Sequence, residues 1–252
     1  MFGKNIPVKI EKADTDGKLG VHSIFYTIQG EGPYAGLPAV FIRLADCSLA
    51  CSFCDTDFAL TERLSPEEIC NSVSELLPKE IPFKFVVITG GEPFLQYNLA
   101  LLCMYLTSSG YSVQIETSGS VCTTARANAI EWMKREENRK ITIICSPKTS
   151  RLAPAIIPLI DCYKYVLRHD NINEMNGLPL KAYCGTGNMY IPIKRKEEND
   201  LEVHYIDTPI WVMPCDEHDE ALSLKNIEAV KNSCLKFGYR LCLQLHKLVG
   251  VD

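Results

Sequence analysis

Nowhere in the 252-residue sequence does an apolar run reach the roughly 20 positions that span a bilayer. The opening stretch, "MFGKNIPVKIEKADTDGK", has no apolar centre of the kind that marks a secretory leader, so the expectation is a cytoplasmic protein without membrane attachment. Positive charge is not in excess either. Lys and Arg number 26 against 31 Asp and Glu, a net charge of −5, and such a surface does not draw nucleic acid to it. A small molecule is the expected partner. Internal repeats and low-complexity tracts are missing, and "KRKEEND" (194–200) reads as a solvated loop. Histidine is sparse: the five residues His22, His169, His204, His218 and His246 stand apart from one another, without the paired spacing of a zinc site.

Cysteine is plentiful, at 12 residues. A reducing compartment argues against a disulfide framework. Nine of the thiols are scattered, at 70, 103, 122, 145, 162, 184, 215, 234 and 242, mostly among apolar neighbours as in "LALLCMYL" and "ITIICS", and read as small buried hydrophobes. Cys47, Cys51 and Cys54 in "DCSLACSFCDTDF" are different. Three thiols within eight positions, followed by an acid and a hydroxyl, call for chemistry.

Apolar β-type runs alternate with helical patterns over most of the chain. "AVFIRL" (39–44), "KFVVIT" (84–89), "SVQIET" (112–117), "ITIICS" (141–146), "YKYVL" (163–167), "IWVMP" (210–214) and "RLCLQL" (240–245) are short, continuous and rich in β-branched residues, as suits strands buried on both faces of a parallel sheet. Helix punctuation lies between them: Ser65 as an N-cap with Pro66, Glu67 and Glu68 in the first turn, and Gly110 and Gly238 as helix stops. The expected fold is α/β, a partial, open β/α barrel with about six parallel strands, since eight repeats would be cramped in this length. Active sites of such folds gather at the C-terminal ends of the strands. The unusual residues follow strands: the thiol trio, "GGEP", "ETSG" and "SPK".

A tetrahedral zinc site needs four ligands, and no second pair at metal spacing accompanies the trio. A [4Fe–4S] cluster held by three thiolates leaves one iron open to a small molecule. The C-x3-C-x2-C spacing resembles the radical S-adenosylmethionine (SAM) superfamily, with Phe53 before Cys54 at the position of an aromatic that packs by adenine. "TGGEP" (89–93), in the right order after the trio, resembles the superfamily's SAM amino-group motif. "TIQGEGPYAGLPAVFIRL", "CDT", "ETSG", "SPK" and "HK" together resemble the 7-carboxy-7-deazaguanine synthase family, most strongly over 25–58 and 86–119.

That resemblance implies a single radical SAM domain over 1–252, with an N-terminal extension (1–20), a substrate-binding segment (21–38) and a C-terminal strand with a substrate-closing tail (239–252). It implies lyase chemistry on 6-carboxy-5,6,7,8-tetrahydropterin, giving 7-carboxy-7-deazaguanine, with the cluster on Cys47, Cys51 and Cys54 and Mg²⁺ on Thr56. SAM would lie against Phe53, Cys54, Asp55, Gly90, Gly91, Glu92, Ser146, Pro147 and Lys148. The substrate would meet Ile28, Gln29, Gly30, Glu31, Arg43, Thr89, Glu116, His246 and Asp252. No general acid or base is implied. An electron donor of flavodoxin or ferredoxin type and a homodimer complete the implied set. Asp252 departs from the pattern, which would end in a small or apolar residue. The rival readings are another small radical SAM enzyme, such as a glycyl-radical activase, and a zinc-stabilised binding module.

Overall fold

The computed structural model describes residues 6–8, 16–54, 56–136, 140–194, 204–205 and 208–251. The first strand, β1 (Leu19–Ile28), runs antiparallel to β2 (Pro38–Leu44), with an irregularity in register between Val21 and Ser23, and also antiparallel to the short β3 (Glu62–Leu64). Helix α1 (Pro66–Leu76) opens on Ser65, whose hydroxyl accepts from the Glu68 N–H while the Glu68 carboxylate accepts from the Ser65 N–H. This capping box satisfies two of the donors that a helix start leaves open. Then follow β4 (Phe85–Gly90), α2 (Leu99–Ser108), β5 (Ser112–Thr117), α3 (Thr124–Arg135), β6 (Ile141–Cys145) and β7 (Cys162–Leu167). A two-stranded ribbon, β8 (Ile193–Lys194) with β9 (His204–Tyr205), precedes β10 (Ile210–Pro214) and α4 (Glu220–Phe237). The chain ends through β11 (Arg240–Leu241) and the short α5 (Leu245–Val249).

In space the large sheet has the order β11-β10-β7-β6-β5-β4-β2-β1-β3. Every pairing from β2 to β11 is parallel, so the expected open β/α arrangement is present, flanked on one side by the antiparallel β1 and β3. The period-2 alternation of strands divides the side chains between two faces. Ile143, Cys145, Tyr163, Tyr165 and Leu167 face the helices and join a core with Ile69, Val73, Leu102, Leu106, Ile130 and Val230. Ile144, Cys162, Val166, Trp211 and Met213 point the other way, into the hollow of the sheet. Polar residues on that inner face, near the C-terminal strand ends, therefore project into the hollow.

The structure refines the sequence reading in three places. The β/α alternation lapses after β6, where only a 3₁₀ turn (Ile157–Leu159) stands before β7 and no α-helix is described between β7 and β10. "LAPAIIP" and "GLPLKAYCGTG" explain this, since Pro and Gly break helices. The strand expected over 240–245 stops at Leu241, because Leu245 already begins α5. Residues 19–28, which gave no strand expectation, form the longest strand; their half-exposed pattern lacks the continuous apolar run of the parallel strands. Among the described residues, no helix is long and apolar enough to cross a membrane.

Candidate active site

A cavity of about 840 Å³ opens at the C-terminal ends of the parallel strands. Its cysteine-bearing wall is the loop after β2. Asp46 takes a left-handed backbone (φ 66°) that turns the chain out of the strand, and Cys47, Cys51 and Cys54 follow, all free thiols facing the cavity. The "GGE" turn after β4 is pressed onto this loop. The Gly91 N–H donates to the Leu44 carbonyl (3.0 Å) and the Glu92 N–H to the Asp46 carbonyl (2.8 Å). A Cβ on Gly91 would lie 1.7 Å from the Asp46 carbonyl oxygen, and one on Gly90 2.1 Å from that of Leu44. Glycine is required here because two backbones touch.

The three thiols suit a cluster better than a single ion. Among the described residues, no three His, Cys, Asp or Glu side chains converge as one metal ion would require. A four-iron cluster takes each thiolate on a different iron, so its ligands need not meet at a point. Burial pushes the Cys47 thiol up to about 12, and Cys51 is raised by its contact with the Cys184 thiol and by burial.

Four inner-face side chains define the cavity floor: Arg43 on β2, Thr89 beside it on β4, Glu116 on β5 and Lys164 on β7. The Lys164 side chain is 6% exposed, and its Nζ donates to Glu31 Oε2 (2.5 Å) and Glu116 Oε2 (2.6 Å). Three glutamines support the carboxylates. Gln114 and Gln29 donate to Glu116 Oε1 (2.6 and 3.4 Å), and Gln244 donates to Glu31 Oε1 (2.9 Å). Burial pushes the Glu31 carboxyl up, but the Lys164 ammonium outweighs it and holds the group below the usual carboxylate range. Burial likewise pulls Lys164 down, and Glu116 and Glu31 more than reverse it. Two carboxylates share one ammonium, so the floor is acidic on this side. Across from it, Arg43 stacks its guanidinium on Phe25 (5.2 Å to the ring centre), and its buried Nε has no hydrogen-bond partner among the described residues.

Two further segments bound the cavity. Lys148 donates to the Ser146 carbonyl (3.0 Å) and hydroxyl (2.5 Å) and lies 6.0 Å over Phe53, on which Tyr183 packs edge-on. The C-terminal tail seats on the segment after β1: the Leu245 N–H donates to the Gly30 carbonyl (3.1 Å), and a Cβ on Gly30 would sit 2.0 Å from His246 Nδ1. Gly30 thus makes room for the His246 ring, which faces the cavity.

Of the residues singled out from sequence, Cys47, Cys51, Phe53, Cys54, Thr56, Gly90, Gly91, Ser146 and Lys148 line the cavity, as do Ile28, Gln29, Glu31, Arg43, Thr89, Glu116 and His246. Gly30 and Pro147 are buried and do not line it. Glu92 is turned away altogether: it is fully buried, and its carboxylate accepts from the Phe94 N–H (3.1 Å), the Thr117 hydroxyl (2.6 Å), and the Ser118 N–H (2.9 Å) and hydroxyl (2.5 Å). Its carboxylate ties the ends of β4 and β5 together. Asp55 and Asp252 lie outside the described residues. The sequence reading missed Lys164 and Gln244, although a lone lysine inside the apolar run "YKYVL" was a signal that a buried charge needs partners.

Comparisons with known proteins agree on one family. The model described as the radical SAM superfamily matches residues 42–148. The 7-carboxy-7-deazaguanine synthase of Rhodospirillum rubrum is 34% identical over 257 residues, covering 100% of both chains. That of Bacteroides thetaiotaomicron is 39% identical over 231 residues, covering 92% of this chain and 97% of its own. Among solved structures, QueE from Escherichia coli superposes with a TM-score of 0.57 at 21% identity, covering 90% of this chain and 94% of that one, which supports the fold. Identity at this level along the whole chain, on a sheet whose thiol loop and glycine turn meet at the same end, decides the family: the protein belongs to the 7-carboxy-7-deazaguanine synthases, a branch of the radical SAM enzymes.

Proposed function

We propose that the protein converts 6-carboxy-5,6,7,8-tetrahydropterin to 7-carboxy-7-deazaguanine with loss of ammonia, a step towards 7-deazapurines. The observation that carries this reading is the polarity of the cavity floor. One side presents the carboxylates of Glu31 and Glu116 around Lys164, and the other an Arg43 whose Nε has no partner among the described residues. A reduced pterin carboxylate is the complement: an amino-pyrimidinone edge rich in N–H donors at one end and a carboxylate at the other. Glu31, held ionised by Lys164, and Glu116, bonded to the same ammonium, accept from the N–H groups. Arg43, pre-oriented by Phe25, meets the carboxylate through its planar fork.

A [4Fe–4S] cluster on Cys47, Cys51 and Cys54, when bound with SAM, would supply the reductive cleavage that yields a hydrogen-abstracting radical. The surrounding residues place the other parts. An amino group at the "TGGEP" turn is read by carbonyl oxygens, since the Gly91 and Glu92 N–H groups are already used on Leu44 and Asp46. Phe53 offers a ring face, and Ser146 and Lys148 offer polar atoms beside it. Thr56 borders the same space and would contribute a hydroxyl to Mg²⁺ completed by substrate oxygens and waters. His246 and the tail close the cavity and exclude water from a reactive radical. Reduction by a flavodoxin- or ferredoxin-type donor and a homodimeric assembly belong to the same reading.

The test is anaerobic turnover of the reconstituted protein with 6-carboxytetrahydropterin, SAM, Mg²⁺ and dithionite, read by mass spectrometry. Formation of 7-carboxy-7-deazaguanine is the expected result. Release of 5′-deoxyadenosine with no conversion of the pterin overturns the substrate assignment.

A further inference from the structure

Cys184 was grouped from sequence with the inert buried thiols, and the structure separates it from them. It sits half-buried in the turn formed by residues 181–188, in a sequence, "YCGTGN", where Gly185 and Gly187 both take positive φ. The turn is fixed in place. The Tyr183 and Cys184 N–H groups both donate to the Lys148 carbonyl (2.9 and 2.8 Å), the Ala182 N–H donates to the Gly187 carbonyl (3.0 Å), and Tyr183 packs against Phe53 of the cysteine loop (4.8 Å between ring centres). The result is that Cys184 Sγ lies 3.2 Å from Cys51 Sγ, across 133 positions of sequence. A disulfide needs about 2.05 Å between sulfurs. Both thiols are on loops, and a shift of about an ångström shared between them closes that gap.

We propose that Cys51 and Cys184 are an oxidation site: a thiol pair that forms a reversible disulfide when the cysteine loop carries no iron, with hydrogen peroxide as oxidant. One thiolate attacks the peroxide, the O–O bond breaks, and a sulfenic acid and water are formed after protonation. The second sulfur displaces the hydroxyl as water, so two thiols and one peroxide give one disulfide and two waters. A small dithiol reverses the reaction by exchange through a mixed disulfide. The disulfide and the cluster exclude each other, because Cys51 serves only one of them and two remaining thiolates do not anchor a four-iron cluster. The oxidised pair also keeps Cys51 from passing to sulfinic acid, which dithiols do not reverse.

The experiment uses the full chain, stripped of iron anaerobically with reductant and chelator, desalted, and treated with one equivalent of hydrogen peroxide. Non-reducing peptide mapping should find the Cys51 and Cys184 peptides joined, and dithiothreitol should return both thiols. Crosslinks that instead pair Cys51 with Cys47 or Cys54, or no crosslink at all, overturn the proposal. A second arm follows iron and sulfide recovery. Untreated Cys184→Ala should reconstitute like the unaltered protein, whereas after several equivalents of peroxide, since a sulfinic acid consumes two per thiol, Cys184→Ala should recover several-fold less iron after dithiothreitol than the unaltered protein treated alike, with Cys51 found as sulfinic acid. Equal recovery in the two treated proteins would count against the protective role. The crosslink arm does not depend on the proposed substrate, so failure of either reading is told apart.

Discussion

Lys164 shows how one residue sets the character of the cavity. An ammonium buried at 6% exposure between two carboxylates is held there by geometry, and removing it strands two negative charges in a low-dielectric floor. Lys164→Met should therefore cost about 3–5 kcal/mol at neutral pH, the usual penalty for a buried pair broken on one side. The pH dependence has a definite sign. The Glu31 carboxyl is depressed in the folded protein, so its contribution is present above the ordinary carboxylate range and lost as pH falls through the folded value. The gap between the two proteins, measured by urea unfolding, should hold from pH 7 down to the ordinary glutamate value of 4.5 and narrow below it; a gap constant with pH would mean that Lys164 acts through packing alone. Arg43 makes the opposite case, a cation whose buried Nε has no partner among the described residues. Arg43→Ala should weaken 6-carboxytetrahydropterin binding by about 1.5–3 kcal/mol, roughly 10- to 150-fold in Kd. A tetrahydropterin without the carboxylate should bind both proteins alike, and an equal loss for both ligands would remove Arg43 as the anchor. At this scale the sequence displayed Arg43, Glu31 and Glu116 through their motifs. It hid the pairing with Lys164, because a 133-position contact leaves no local pattern.

Elements bring these residues together by two glycine contacts of different kinds. At Gly91 the obstacle to a side chain is backbone, the Asp46 carbonyl, which is itself fixed by the Glu92 N–H. At Gly30 it is chiefly a side chain, the His246 ring, with the His246 backbone nitrogen farther off at 3.0 Å. The two substitutions should therefore fail differently. Gly91→Ala should separate the cysteine loop from β4 and abolish iron incorporation. Gly30→Ala should fold normally and lose pterin turnover by the same factor as His246→Ala, and the double variant should be no worse than His246→Ala. Additive losses would show that Gly30 and His246 act separately. The parallel strands and capped helices were legible because continuous β-branched runs and Ser65, Pro66, Gly110 and Gly238 are local signals. β1 was not, since its side chains alternate irregularly between buried and half-buried. Nor was the end of β11, where pairing with β10 involves only two residues and the helix-forming "QLHKL" takes over.

Across the whole molecule the sheet is open, with β3 at one edge and β11 at the other, and the tail spans the hollow between the two halves. It leaves β11, donates the Leu245 N–H to Gly30 beyond β1, and brings Gln244 to Glu31, while the Gly32 N–H donates to Cys242 Sγ (3.2 Å). Stability and function are divided by this arrangement. The core lies between the sheet and its helices, whereas α5 buries none of its residues. A chain ending at Leu243 should therefore unfold within about 3 kcal/mol of the full protein, the scale expected for changes at exposed positions plus the lost Gln244–Glu31, Lys247–Asp216 and Leu245–Gly30 hydrogen bonds. Its cavity, however, lacks Gln244, His246, Lys247 and Val251 on one side and is open to water. The shortened protein, reconstituted with cluster, should still release 5′-deoxyadenosine from SAM but convert little pterin, because a radical formed in a wet, unclosed site is quenched before it reaches a held substrate. The ratio of 7-carboxy-7-deazaguanine formed to 5′-deoxyadenosine released is the quantity to measure. Preserved coupling would mean that closure comes from elsewhere in the fold; a large fall in unfolding free energy would mean that the tail is part of the core after all.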